Sequence, residues 1–323
     1  AQDVAIAGSM VAGRPEPMHR VAGTDLWHRT YPIEPGARYE YRFQVDFGQW
    51  VADPLNPDSV PAAWGDAFSE VATPGYRREA LHVEPEGGLR GRIEEFEWKS
   101  ASLGNERTVQ VYLPPGYDAG DAPNALLVVQ QGDDYLAKGG MANVLDRTVG
   151  VSVRPVVAAF VPPIPQWWYE AGGTGTEEYL AAVAKELVPA LAERYRISDR
   201  PEDRALMGQR SFGLSACYGA LLHPGVFGRA AIQSVALGDV ARHAMFALIA
   251  DGERRDVSFY VDWNRYEARD PDRGLDIGAE SRRLWKALED AGYALTGGEA
   301  LDAYGWGGWR ARTDDLLVAL FPM

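Results

Sequence analysis

Arg204-Ala205-Leu206-Met207-Gly208-Gln209-Arg210-Ser211-Phe212-Gly213-Leu214-Ser215-Ala216-Cys217-Tyr218 is the stretch that decides the fold. It reads as a short buried strand, a tight turn flanked by glycine, and a helix of small residues. That is the outline of an elbow that presents a nucleophile at its apex. In such an elbow the residues two before and two after the nucleophile press together, so small residues are needed there. Gly208 lies three before Ser211, and Gly213 two after it. Counted from Gly208, the apex falls on Arg210, and a guanidinium cannot attack a carbonyl.

Outward from this stretch the pattern alternates strand and helix. Residues 125–129 and 156–161 are continuous apolar runs, as strands buried on both faces should be. About 177–195 predicts a helix, with Leu180, Val183, Ala184, Leu187 and Leu191 on one face. Residues 92–98 and 108–113 read as earlier strands, and 230–234 and 257–261 as later ones. Helices over about 279–291 and 313–320 close the chain. The alternation implies an α/β fold: a mostly parallel sheet covered by helices.

The front of the chain is different. Residues 4–10, 26–31 and 39–45 carry strand signals, with turns at Glu34-Pro35-Gly36 and Pro54-Leu55-Asn56-Pro57. Several short strands without a helix predict a small β-sandwich over 1–75. Pro85-Glu86-Gly87-Gly88 marks a linker over 76–90, which leaves 91–323 to the α/β domain. The runs 23–27, 39–43 and 50–57 resemble the immunoglobulin-like modules related to starch- and glycogen-binding domains. The resemblance implies Trp27 and Trp50 as residues that stack on a sugar; the alternative is that they cover the small core.

A formal net charge of −14 argues against a nucleic-acid backbone or an anionic membrane as partner. Cys217 is the single cysteine, so an internal disulfide and a cysteine-rich metal site are excluded. No apolar run approaches the ~20 residues that span a bilayer. The chain opens at Ala1 without a signal-like segment, and the expectation is a soluble protein, cytoplasmic or periplasmic. No histidine–carboxylate spacing suggests a metal. Gly172-Gly173-Thr174-Gly175 lacks the lysine and helix of a phosphate loop, so no cofactor is expected.

The larger region resembles the putative-esterase branch of the α/β-hydrolases, near the enterochelin esterases. The matching residues are Leu113-Pro114-Pro115-Gly116-Tyr117, Glu186-Leu187-Val188-Pro189, the elbow with Ser211-Phe212-Gly213-Leu214, and His223-Pro224-Gly225-Val226-Phe227-Gly228. Gln233-Ser234 and the tail Gly305-Trp306-Gly307-Gly308-Trp309-Arg310 complete them. The front module matches the β-sandwich that precedes the hydrolase domain in enterochelin esterases.

The resemblance implies a serine hydrolase triad, in which a histidine takes the serine proton and a carboxylate orients the histidine. It places the serine at Ser211. The acid slot follows the strand at 257–261, where Glu267 fits best and Asp262 is the second candidate. The histidine slot, in a late loop after Gly297-Gly298, holds Leu301, and no histidine follows His243. His223 reads as a cap before Pro224, and His243 as a residue of a helix between two strands. Two triad slots are thus altered, one by register and one by substitution. The expectation is a catalytically inactive esterase-like protein that binds a ligand or acts as a structural or interaction subunit. The alternative is a serine carboxylic-ester hydrolase using Ser211.

A cleft in this fold lies at the carboxyl ends of the strands. The candidates for binding there are Asp133, Asp134, Tyr135, Trp167, Trp168, Arg210 and Trp306. Aromatic faces with carboxylates and a guanidinium suit a small carbohydrate or an aryl group. A protein partner is the other candidate, and the oligomeric state is left open.

Overall fold

A computed structural model of the chain describes residues 1–323 apart from 12–13, 63–64, 77–79, 164–173, 238 and 271–273. The chain forms two compact units. Unit 1 comprises residues 1–79, 263–279 and 299–311; unit 2 comprises 80–262, 280–298 and 312–323. The first division falls within residues 76–90, and two late segments, which begin inside the strands over 258–266 and 294–303, group with the front.

The front of the chain holds β1 (Val4–Gly8), β2 (Glu16–Pro17), β3 (His19–Arg20), β4 (Trp27–His28), β5 (Arg38–Val45), β6 (Gln49–Val51), β7 (Ser59–Val60) and β8 (Phe68–Ala72). The main sheet runs β2-β1-β5-β8-β7, with β6 also on β5, and every pairing is antiparallel. β1 and the start of β5 are its buried strands. The alternation at 26–31 yields only Trp27–His28, paired with β3. Leu26 is 61% exposed, so that alternation has no buried face to stabilise it.

Unit 1 has a buried polar centre. The Arg38 guanidinium donates from Nε to Asp302 Oδ1 at 2.7 Å, from Nη1 to Glu70 Oε2 at 2.8 Å and from Nη2 to Glu40 Oε1 at 2.8 Å. Tyr76 Oη donates to the other Asp302 oxygen at 2.9 Å. Burial alone would lower the Arg38 pKa, but Asp302 and Glu40 outweigh it, so the arginine stays charged. For Glu40, burial wins over the pull of Arg38, and its carboxyl is pushed up to about 7.

From β9 onward the elements are β9 (Arg92–Ser100), β10 (Asn105–Leu113), β11 (Ala125–Gln130), β12 (Val156–Val161), β13 (Arg204–Gln209), β14 (Arg229–Gln233), β15 (Ser258–Tyr266), β16 (Arg269–Asp270), β17 (Leu275–Asp276) and β18 (Ala294–Ala303). The eight-stranded sheet runs β18-β15-β14-β13-β11-β12-β10-β9. Its five central strands, β15 to β12, are parallel, and β10 and β9 run antiparallel at one end. All residues of β11 and β12 are buried, as their unbroken apolar runs require. The helices are α1 (Gly132–Ala137), α2 (Met141–Thr148), α3 (Thr174–Ala182), α4 (Val188–Arg194), α5 (Arg210–Leu222), α6 (Asp239–Ala250), α7 (Ile277–Asp290), α8 (Trp306–Arg310) and α9 (Thr313–Leu320). A π-turn, Val183–Leu187, joins α3 to α4, so one helical run fills the region expected to be helical. α5 packs on β13 and β14.

The stretch read as a late loop is β18 instead. Its strand signal is broken by Gly297-Gly298, yet glycine is what the pairing needs. A Cβ on Gly297, at φ +103°, would lie 2.3 Å from Val261 O.

The Glu40 carboxyl binds its proton more tightly in the folded chain than at its ordinary value of 4.5. Its stabilising contribution is therefore full below about 4.5 and is lost as pH rises to about 7. Glu40→Gln should flatten the fall in urea midpoint over that interval relative to wild type. An unchanged pH dependence would exclude Glu40 as the titrating group.

Candidate active site

The elbow forms where the sequence places it. β13 ends at Gln209, which caps α5 in an extended conformation, and Arg210 then adopts φ +54°. A residue with a side chain enters this left-handed region only when the surrounding structure compels it. The compulsion here is the strand on one side and the helix on the other. An added Cβ on Gly208 would lie 2.5 Å from Phe212 O and 2.9 Å from Phe212 Cβ. Gly208 and Phe212 are therefore the two residues that press together, and the residue midway between them is Arg210. Ser211 falls one position into α5 and is half-buried.

The loop after β11 is tied to this turn. Gln131, at φ +56°, accepts from Gln209 Nε2 at 2.5 Å and donates from its own Nε2 to Asp134 Oδ2 at 2.7 Å. Lys138 holds the other Asp134 oxygen at 3.0 Å. Gln130 Nε2 donates to Phe212 O at 3.3 Å. Asp134, in the first turn of α1, is thus fixed by Gln131 and Lys138, whereas Asp133 is exposed. Partial desolvation of its carboxyl and the charge of Asp134 raise the Asp133 pKa.

Tyr135 turns inward. It is buried and donates to Gln233 Oε1 at 3.0 Å; Gln233 Nε2 donates onward to Asp262 Oδ2 at 3.2 Å. The same Asp262 oxygen accepts from Tyr260 Oη at 3.0 Å and from Arg312 Nε at 3.0 Å. Asp262 is 1% exposed; the network takes up Oδ2, while Oδ1 is buried without a hydrogen-bond partner among the described residues. Burial, and next the Asp262 charge, raise the Tyr135 and Tyr260 pKa values well above their ordinary range, so both phenols stay protonated donors. Gln131, Gln209, Gln233 and Arg312 went unread as site residues, since a glutamine or an arginine shows its partners only after folding. Gln233-Ser234 carried one signal through the family resemblance.

Glu267 lies in unit 1, just after β15. Its Oε1 accepts from the Asn264 backbone N–H at 2.8 Å and from Asn264 Nδ2 at 3.1 Å. Leu301, which the resemblance assigns to the histidine slot, is a half-buried residue of β18. Trp306 opens α8, is 1% exposed and packs edge-on against Trp309 with centroids 5.2 Å apart, so its ring belongs to the packing of unit 1. Trp167 and Trp168 lie outside the described residues. His223 caps α5, its backbone N–H donating to Gly219 O at 3.0 Å, and burial followed by the Lys185 charge lowers its pKa. His243 sits on the exposed face of α6. Among the described residues, no cluster of three or more metal-ligating side chains exists, and no helix is long and apolar enough to cross a membrane.

A mostly parallel sheet with a strand–elbow–helix at its centre defines an α/β-hydrolase. Residues 100–288, more than half of the chain, match the family described as "Putative esterase", and the chain belongs to that family. It is 27% identical over 259 residues to the iron(III) enterobactin esterase of Dickeya dadantii, a match covering 68% of this chain and 57% of that protein. It is 26% identical over 245 residues to that of Escherichia coli strain K12, covering 68% and 60%. The match therefore spans less than two thirds of the length of these relatives. Among solved structures, the ferric enterobactin esterase of Salmonella typhimurium superposes with a TM-score of 0.80 at 19% identity, covering 98% of this chain and 88% of that one. The enterobactin esterase of Shigella flexneri, in the presence of enterobactin, gives 0.77 at 23% identity, covering 98% and 87%. At these identities the structural likeness is one of fold.

Arg312→Met strands a fully buried carboxylate, which should cost about 3–5 kcal/mol of stability. The double variant Asp262→Asn/Arg312→Met should recover part of that loss. Urea unfolding of both variants is the check; equal losses would mean that the pair is not coupled.

Proposed function

We propose that this esterase-family chain is a binding protein on a hydrolase scaffold and does not cleave esters through Ser211. The observation that carries the reading is the apex of the elbow: the left-handed position between Gly208 and Phe212 belongs to Arg210. An arginine has no proton to lose near neutral pH and no nucleophilic lone pair to offer. The base slot supports the same reading. By family resemblance it falls on Leu301, and the sequence holds no histidine after His243. Without a base, a serine is a weak nucleophile at neutral pH, and losing a triad member costs roughly four to six orders of magnitude in related hydrolases.

The carboxyl ends of the parallel strands carry the elbow and the turn at Gln131 into α1, where this fold places a ligand. The enterobactin esterase of Shigella flexneri was crystallised in the presence of enterobactin and of 2,3-dihydroxy-N-benzoyl-serine, the second of which bears an aryl group. A small aryl compound or a sugar is the ligand class that this reading assigns to the cleft.

Intact-mass analysis after incubation with a fluorophosphonate tests the reading, with Ser211→Ala as control. Such probes label a serine only when its neighbours have activated it. No adduct on the folded protein is expected, together with p-nitrophenyl acetate hydrolysis that Ser211→Ala leaves unchanged. A single adduct that disappears in Ser211→Ala would establish a serine esterase instead.

A further inference from the structure

Unit 1 contains a cavity of about 500 Å³, within the size range of small-molecule sites. Among the residues lining it are Glu40, Arg42, Trp50, Phe68, Glu267 and Tyr304. Arg42 comes from β5 and is half-buried. Its guanidinium carbon lies 4.2 Å from the Trp50 ring centroid and 4.7 Å from that of Phe68. Two rings thus hold the planar group and supply cation–π attraction, but they do not satisfy its N–H donors. Arg42 Nε is buried without a hydrogen-bond partner, and no described residue forms a hydrogen bond or ion pair with this guanidinium. Arg38, two residues earlier on the same strand, binds three carboxylates. Burial lowers the Arg42 pKa, yet an arginine remains charged at any physiological pH. A charged fork with unused donors in a cavity of ligand size is open to an acceptor from outside the chain.

The rest of the lining narrows what that acceptor is. Arg269 pairs with Asp276 at 3.3 Å and Glu40 accepts from Arg38 at 2.8 Å, whereas Arg42 is a lining guanidinium with no ion pair among the described residues. A carboxylate matches the fork of Arg42 in charge and shape. Trp50, Phe68, Tyr266 and Tyr304 give the remaining wall an apolar and largely aromatic character.

We propose that this cavity of unit 1 is a binding site for a small organic monocarboxylate with an apolar or aromatic body, held by the Arg42 guanidinium. The carboxylate accepts from Arg42, and the body packs against the ring-lined wall. This goes beyond the reading of the elbow, because it requires neither reactivity nor inertness of Ser211.

Calorimetric titration of the full chain near neutral pH tests it, with phenylacetate as probe. Phenethyl alcohol serves as the neutral counterpart and phenethylamine as the cationic one. Phenylacetate should bind, and each counterpart should bind about tenfold more weakly or worse. Arg42→Gln should weaken phenylacetate by about tenfold or more while the thermal midpoint stays near that of wild type. Should Arg42→Gln fail to fold, Ala268→Trp, which narrows the cavity and leaves Arg42 in place, should weaken phenylacetate to a similar extent. Absence of phenylacetate binding, equal binding of either counterpart, or affinity that survives the folded variants would overturn the proposal. None of these outcomes depends on phosphonate labelling of Ser211, so this inference and the reading of the elbow can fail separately.

Discussion

The contact on which the centre of unit 2 depends is the approach of Gly208 to Phe212. β13 must stop and α5 must start within one residue, and the two backbones meet at a separation that leaves no space for a Cβ. That constraint determines which residue is strained. Arg210 takes φ +54° because it lies midway between the two, and Ser211 is carried into the first turn of the helix. Moving the serine by one position on a helix rotates it by about 100° about the axis. An elbow therefore has no tolerance for register: the residue either stands at the apex or it does not.

Each unit also carries a buried charge that its surroundings must satisfy. In unit 1, Arg38 divides its donors among Asp302, Glu70 and Glu40. In unit 2, Asp262 gathers Arg312, Tyr260 and Gln233 on one oxygen, and Gln233 passes the chain to Tyr135. Networks of this kind are costly to break and give little net stability over an apolar core. Their effect is to hold positions. The Asp262 network holds the ends of β14 and β15 together with the helix that begins at Gly132. Arg42 is the contrast, a guanidinium kept flat by two rings with its hydrogen-bonding capacity unspent.

Much of the fold was legible in the residues. The unbroken apolar runs at 125–129 and 156–161 became strands buried throughout, because a strand covered on both faces has no polar side to display. The helix at 313–320 matches its pattern residue for residue. β18 was not legible, since its paired glycines look like a loop, and only the proximity of Val261 explains why glycine is needed. The strand signal at 26–31 was misleading for the opposite reason: alternation without a buried face does not build a strand beyond Trp27–His28.

The candidate site divides in the same way. The sequence by itself determined the strand–turn–helix pattern of the elbow, the spacing of Gly208 and Gly213 about Ser211, and that no histidine follows His243, because these are matters of residue order and count. Only the tertiary structure decided that Arg210 is the strained residue, that one oxygen of Asp262 is taken up by a buried network, that Trp306 is packing, and that Arg42 lines a cavity with its Nε unpaired. The physical reason is that strain, burial and hydrogen-bond satisfaction depend on neighbours distant in sequence, such as Asp262 and Arg312, which nothing local to either residue could reveal.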